Sequence, residues 1–141
     1  MNLVIDIGNT RIKAGLFKNR ELIRKESFIN LTELKNFIIA TQADHILVSS
    51  VNHDPAEILS WSASSGKKIS LTSSLPLPIR VVYQTPHTLG VDRLAAVCGA
   101  KELFPDKNCL VIDAGTCINY ELLVAQGVYH RGAISPAISM R

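Results

Sequence analysis

The chain has 141 residues, about the length of one ordinary domain, and its 47% hydrophobic and 19% charged content describes a soluble, well-cored protein. Its formal net charge of +3 comes from scattered lysines and arginines, which argues against a nucleic-acid-binding stripe and favours a small polyanionic ligand. No apolar run is long enough to span a membrane, and the first predicted strand follows Met1 directly without a signal peptide, so we expect a cytoplasmic location.

The first half of the chain predicts a three-strand meander followed by alternating helices and strands. Apolar alternation and turn residues place the meander strands at residues 2–7, 11–18 and 21–28. The elements predicted after it are a helix over 31–38 capped by Asn30 or Thr32, a strand over 45–51 parallel to the first, a helix over 55–64 and a strand over 68–71.

The second half predicts one more strand, one long helix and a second meander. The predicted elements are a strand over 79–83, a helix over 94–104, meander strands over 111–113, 118–124 and 127–134 with a turn at 126–127, and the start of a helix within 135–141. Asp92 and Arg93 fall in the first turn of the long helix or just before it. The cysteines at 98, 109 and 117 lie in apolar runs without metal spacing and are expected to be reduced core thiols.

One pattern occurs twice, with its aspartates at positions 6 and 113. The first copy reads Val4-Ile5-Asp6-Ile7-Gly8-Asn9-Thr10, and the second reads Val111-Ile112-Asp113-Ala114-Gly115-Thr116. Each copy predicts a buried strand that ends on a carboxylate, a tight glycine turn with positive φ, and a returning strand. A repeat of this length suits two homologous domains that face each other.

The chemistry of this repeated turn favours a phosphate site that also holds a cation. Free backbone N–H groups in the turn, together with the threonine hydroxyl, form a concavity suited to an anion. An aspartate at its mouth would repel that anion unless a cation lies between them. A single Asp-x-Gly turn is more often an ordinary hairpin, but two matching copies favour the phosphate interpretation.

Two readings are open for the pair at the start of the long helix. Asp92 could simply complement the positive end of the helix dipole, which would need no ligand. Arg93 is electrostatically misplaced at that end, and this suggests an anionic partner for its guanidinium.

Several segments together resemble type III pantothenate kinase, a family of the acetate and sugar kinase/actin superfamily. The matching segments are Asp6-Ile7-Gly8-Asn9-Thr10-Arg11-Ile12-Lys13, Thr85-Pro86-His87-Thr88-Leu89-Gly90-Val91-Asp92-Arg93 and Asp113-Ala114-Gly115-Thr116, with a weaker match at Gly127-Val128-Tyr129-His130-Arg131-Gly132-Ala133-Ile134-Ser135-Pro136. The resemblance implies a duplicated α/β fold of the ribonuclease H-like, actin-like kind, with a mixed sheet. It also implies a first domain over 1–107 and the start of a second over 108–141, half of which would be present.

The resemblance further implies ATP-dependent phosphorylation of pantothenate to 4′-phosphopantothenate, the first step of coenzyme A biosynthesis. Asp92 would be the catalytic base. The ATP-binding residues would be Asp6, Ile7, Gly8, Asn9, Thr10, Arg11, Ile12, Lys13 and Thr116, and the pantothenate-binding residues would be Tyr83, Gly90, Val91, Asp92 and Arg93. Asp113 would bind a monovalent cation, potassium or ammonium, and Asp6 would reach magnesium through water. The family is homodimeric and cytoplasmic and needs neither nucleic acid nor membrane.

The chain departs from the family pattern at a few positions. Cys117, Asn119 and Glu121 follow the second turn where the family usually has alanine, threonine and aspartate, and Ala133 and Ala137 stand where it has glycine. The alternative is a non-catalytic regulatory or metabolite-sensing relative, or an inactive fragment. We also expect the 141-residue chain alone to lack kinase activity and to expose one face of its second meander.

Overall fold

The computed structural model describes residues 1–82 and 88–137, apart from the side chain of Arg131. The chain divides into two compact units, Met1–Thr72 and Ser73–Arg141. No helix in the described part of the chain is long and apolar enough to cross a membrane.

Unit 1 is a five-stranded mixed sheet with the strand order β3-β2-β1-β4-β5. Its elements in chain order are β1 (Asn2–Ile7), β2 (Ile12–Lys18), β3 (Glu21–Phe28), α1 (Leu31–Ala40), β4 (His45–Ser50), α2 (Pro55–Ser60) and β5 (Lys68–Ser70). The meander strands pair antiparallel, whereas β4 runs parallel to β1. The predicted meander and its parallel neighbour are therefore confirmed.

The core of unit 1 lies on one face of this sheet. Leu3, Ile5 and Ile7 alternate along β1 and are almost completely buried. They pack in one cluster with Leu34 and Ile38 of α1, which lie four residues apart and so share a helix face. The buried face of the strand and the buried face of the helix therefore pack against each other in one core layer.

The ends of the two helices follow from their capping residues. Asn30 caps α1, because its side chain accepts a hydrogen bond from the Glu33 N–H at 2.9 Å, which decides between the two predicted caps. Asp54 caps α2 in the same way, and Pro55 occupies the first turn. Helix α2 ends at Ser60, earlier than predicted, with Trp61 as its C-cap.

Unit 2 is a four-stranded sheet with the order β6-β9-β8-β7 and one long helix. Its elements are β6 (Arg80–Val81), α3 (Val91–Leu103), β7 (Cys109–Ala114), β8 (Cys117–Leu123) and β9 (Val128–Pro136). Leu94 and Val97 of α3 pack with Leu123 and Tyr129 on one face of the sheet. The other face exposes apolar side chains such as Ile112, as expected from the sequence.

Two further expectations differ from the structure. Ser135 and Pro136 belong to β9, where Pro136 pairs with Cys117, so a helix does not begin there; residues 138–141 lie outside the described part. Among the described residues, positive φ angles occur at Asn19, Asp106 and Gly127, so the positive φ predicted for the two repeated turns is wrong. Gly127 does lie in the predicted turn at 126–127.

The compact units also divide at a different place from the predicted domains. The predicted boundary lies between 107 and 108, whereas the units divide between Thr72 and Ser73. The cause is α3, whose apolar face packs on β7 and β8. The boundary of the actin-like domains themselves stays a prediction.

Candidate functional site

The first repeated turn closes the β1–β2 hairpin. Ile7 pairs with Ile12, and the Gly8 N–H donates to the Arg11 carbonyl at 3.2 Å across the loop formed by residues 8–11. A Cβ at Gly8 would lie 3.3 Å from that carbonyl, so the glycine serves close approach rather than an unusual φ. Thr10 and Arg11 are exposed at the tip of this loop.

A cavity of about 120 Å³ opens beside this loop. Its lining residues come from the turn, from the segment that leads into α1, and from the segment after β4: Ile7, Gly8, Asn9, Thr10, Arg11, Ile12, Ile29, Asn30, Leu31, Asn52 and His53. Asn52 and His53 were not singled out from the sequence. The predicted parallel pairing of β4 with β1 was the available signal, because adjacent parallel strands end at the same edge of a sheet.

Asp6 is half-buried next to this turn and has a partner on the neighbouring parallel strand. Ser49 lies opposite Asp6 in the β1–β4 register, and its hydroxyl donates to the Asp6 carboxylate at 3.2 Å. Strand β1 is central in its sheet, so Asp6 has paired strands on both sides. The Asp6 carboxylate is therefore held in place from both the neighbouring strand and its own paired backbone.

The second repeated turn has the same order of elements but a shorter loop. Ala114 pairs with Ile118, and the Gly115 N–H donates to the Cys117 carbonyl at 2.9 Å. Asp113 and Thr116 are both exposed. Strand β7 lies at the edge of its sheet, so Asp113 has a paired strand on one side only.

Helix α3 begins at the segment predicted to bind substrate. Gly90 is the N-cap and makes no side-chain cap hydrogen bond, and Val91 and Asp92 open the first turn. The Arg93 N–H donates to the Asp92 carboxylate at 2.9 Å, which agrees with an acidic group at a helix N-terminus. Asp92 remains half-buried rather than sealed in the core. The predicted substrate residue Tyr83 lies outside the described residues.

Arg93 has an anionic partner within the chain. Its side chain is buried, and its Nε and Nη2 atoms pair with the two carboxylate oxygens of Glu121 at 2.5 and 3.0 Å. The electrostatic argument for an anionic partner was therefore correct, although the partner found in the structure is a protein carboxylate. Glu121 was noted in the sequence only as a departure from a family pattern, since only the packing of α3 on β8 brings it to Arg93.

The residues that could hold a metal are few. In the described ranges 1–82 and 88–137, no three histidine, cysteine or acidic side chains gather as a metal-binding group. Magnesium carried by a nucleotide is usually held by one or two carboxylates, substrate phosphates and water. Asp6 fits such a carboxylate, and Asp113 offers oxygen ligands to a hard cation beside a turn.

Comparison with known proteins agrees with these features. The family model for type III pantothenate kinase matches residues 2–141. A type III pantothenate kinase from Bacteroides fragilis is 42% identical over 154 aligned residues, with all of this chain and 59% of that protein covered. Another from Christiangramia forsetii is 41% identical, with all of this chain and 60% of that protein covered. The chain thus spans about three fifths of the length of these curated relatives.

Solved structures share the fold. A conserved protein of the Baf family of transcriptional activators from Campylobacter jejuni has a TM-score of 0.58 at 23% identity, covering 98% of this chain and 56% of that one. The activator of 2-hydroxyisocaproyl-CoA dehydratase from Clostridium difficile, with bound ADPNP, has a TM-score of 0.55 at 15% identity, covering 96% and 45%. At these identities the likeness shows the fold alone, and the predicted actin-like α/β fold is confirmed.

The family follows from the extent of the match rather than from any single motif. The model covers residues 2–141, and the relatives keep about two fifths of their residues identical over the whole chain. This chain belongs to the type III pantothenate kinase family.

Proposed function

We propose that this protein transfers the γ-phosphoryl group of ATP to the hydroxyl of pantothenate, giving 4′-phosphopantothenate in the first step of coenzyme A biosynthesis. The observation that carries the proposal is the family match over residues 2–141 of a chain that keeps Asp6, Asp92 and Asp113. The relatives are named as kinases, which favours catalysis over a regulatory role.

The turn formed by residues 8–11 would hold the phosphates of ATP. This turn lines the cavity of about 120 Å³, Arg11 is exposed at its tip, and backbone N–H groups in a tight turn suit phosphate oxygens. Lys13 is exposed at the start of β2 and adds positive charge next to the turn. Thr116 at the second turn would make a further contact with the nucleotide.

The cations would lie next to the two repeated aspartates. Magnesium neutralises charge that develops on the transferred phosphoryl group. Asp6, oriented by Ser49, would bind it through water, and Asp113 would bind potassium or ammonium. We also infer a homodimer in the cytoplasm, which acts on small molecules and binds neither nucleic acid nor membrane.

Asp92 would act as the general base. Its carboxylate would take the proton from the pantothenate hydroxyl as that oxygen bonds to the γ-phosphorus and the bond to ADP breaks. Gly90 and Val91, which precede it at the start of α3, would line the pantothenate site. Phosphoryl transfer depends mainly on positioning, so a base fixed on the first turn of a helix suits the reaction.

The test is a transfer assay with purified full-length protein. We expect ADP to form from MgATP when pantothenate is present, with a phosphorylated product detected by mass spectrometry, and we expect potassium or ammonium to raise the rate. Glycerol and a hexose serve as control hydroxyl acceptors. Transfer to a control acceptor but not to pantothenate would contradict the proposal.

A further inference from the structure

A fully buried acidic side chain lies on the inner face of β8. Glu121 is 1% exposed and lies two residues before the buried Leu123, on the same face of the strand. A carboxylate in such a place is costly unless it is paired and hydrogen-bonded, because burial removes its hydration. Glu121 must therefore be compensated by the residues around it.

The compensation comes from α3 and from β9. Arg93 on the first turn of α3 forms two parallel N–H···O bonds to Glu121, and the Tyr129 hydroxyl of β9 donates to the same carboxylate at 2.5 Å. Two-point pairing of a guanidinium with a carboxylate fixes both distance and orientation. These bonds tie the start of α3 to two strands of the sheet.

The space for this network exists because residue 132 is a glycine. Gly132 lies directly opposite Glu121 in the β8–β9 register. A Cβ built on Gly132 would overlap both the Glu121 carboxylate and the Arg93 guanidinium, and it would lie 2.5 Å from the Tyr120 carbonyl. The backbone carbonyl cannot move aside as a flexible side chain would, so any larger residue would displace the pair.

The network is connected to Asp92 through the backbone N–H of Arg93. The Arg93 N–H donates to the Asp92 carboxylate at 2.9 Å, while the Arg93 side chain is held by Glu121. The carboxylate proposed as the base is thus bonded to the backbone of the residue whose side chain is anchored in the core.

We propose that Arg93, Glu121, Tyr129 and Gly132 form a positioning network that fixes the first turn of α3, and with it the Asp92 carboxylate. Arg93 is then a positioning residue rather than a ligand of the substrate carboxylate. The proposal deepens the function proposed above and rests on it for the role of Asp92. A substrate-binding Arg93 would have to leave Glu121, and the two roles therefore predict different kinetics.

The first experiment measures how firmly the network holds the start of α3, and it does not depend on an activity assay. We compare Gly132→Ala with Gly99→Ala in the full-length protein, since a Cβ at Gly99 on α3 meets nothing within 4 Å. Hydrogen exchange at the amides of Arg93 and Leu94 should become at least about tenfold faster in the Gly132 variant, with the melting temperature lowered by about 10 °C. The Gly99 variant should match or slightly exceed the parent in both. Unchanged exchange in the Gly132 variant would overturn the proposal.

The second experiment separates positioning from substrate binding. Glu121→Gln keeps the shape of the side chain but removes its charge, and the exposed Glu102→Gln on α3 is its control. We expect Glu121→Gln to lower kcat by about 10- to 100-fold with little change in KM for pantothenate, and Tyr129→Phe to have a smaller effect in the same direction. Adding Arg93→Lys to Glu121→Gln should cost little more, because both act through one network.

Other kinetic outcomes would count against the network. If Arg93→Lys raised KM with kcat unchanged while Glu121→Gln lowered KM, Arg93 would be a substrate ligand and the proposal would be wrong. A parent enzyme that did not phosphorylate pantothenate would contradict the proposed function, and the exchange measurement would still decide whether the network anchors α3.

Discussion

The two copies of the repeated strand bury opposite faces. In the first copy, Ile5 is completely buried against the layer of α1 and α2. The equivalent residue of the second copy, Ile112, is 57% exposed, as is its neighbour Leu110 at 63%. Helix α3 instead packs on the face that carries Val111, whose counterpart in the first copy is Val4. A sequence repeat thus duplicates the strand and turn, while the attached helix decides which face becomes the core.

The copies also differ in their neighbours. Strand β1 lies between β2 and β4, whereas β7 is an edge strand. Asp6 therefore has Ser49 across a parallel pair and is half-buried, while Asp113 at the equivalent position is exposed. The two equivalent carboxylates are therefore held in unequal environments.

The largest expected effect concerns the buried faces. We expect Ile5→Ala to lower the free energy of unfolding by about 2–5 kcal/mol, because it leaves a cavity in a packed cluster. The matched change Ile112→Ala should alter it by less than about 0.5 kcal/mol, since that side chain is already exposed. Urea unfolding of both variants measures the difference. Equal losses would mean that both copies bury the same face.

The next comparison concerns the two carboxylates in catalysis. We expect Asp6→Asn to reduce the rate with MgATP at least about tenfold, because it weakens a ligand fixed beside the phosphate turn. Asp113→Asn should instead remove the stimulation by potassium while leaving the magnesium dependence unchanged. Rates measured while each cation is titrated separate the two effects. A normal potassium response in the Asp113 variant would place the monovalent site elsewhere.

The glycines of the two turns should respond differently to an added methyl group. We expect Gly8→Ala to cost about 1 kcal/mol of stability, because its Cβ would crowd the Arg11 carbonyl at 3.3 Å. Gly115→Ala should be neutral or stabilising by up to about 1 kcal/mol, because the nearest atom is 3.9 Å away and φ is not positive. Thermal unfolding checks both. A larger loss at Gly115 would contradict the comparison of the two turns.

A smaller effect is expected in the reactivity of two cysteines, one at the second turn and one on α3. Burial raises the pKa of the Cys98 thiol on α3, so less of the reactive thiolate is present at a given pH. Cys117 is exposed at the turn and should be alkylated several-fold faster by iodoacetamide at pH 8. Peptide mass spectrometry over a time course gives both rates. Faster modification of Cys98 would contradict the burial of the α3 face.

Local patterns predicted the meanders well, because alternation along β1 and β2 reflects one buried face and short turns fix their ends. The length of α2 was overestimated, because Ser62, Ala63 and Ser64 follow its C-cap at Trp61 without a glycine or proline to mark the end of the helix. The partner of Arg93 could not be read from the sequence, because Glu121 lies 28 residues away and only the packing of α3 on β8 brings them together. The positive φ expected at the turns was wrong because Gly8 serves close approach to the Arg11 carbonyl, and Gly115 has neither a positive φ nor a close neighbour.

Asp92 is proposed to be the general base of a pantothenate kinase, and this claim is tested by removing its charge while keeping the shape of its side chain. In the full-length protein, Asp92→Asn should reduce pantothenate phosphorylation by about 10²–10⁴-fold while ATP binding, measured by calorimetry, and the melting temperature stay close to those of the parent. A variant that phosphorylates pantothenate within a few-fold of the parent rate would contradict the claim. A variant that loses activity together with its stability would show that Asp92 mainly supports the start of α3.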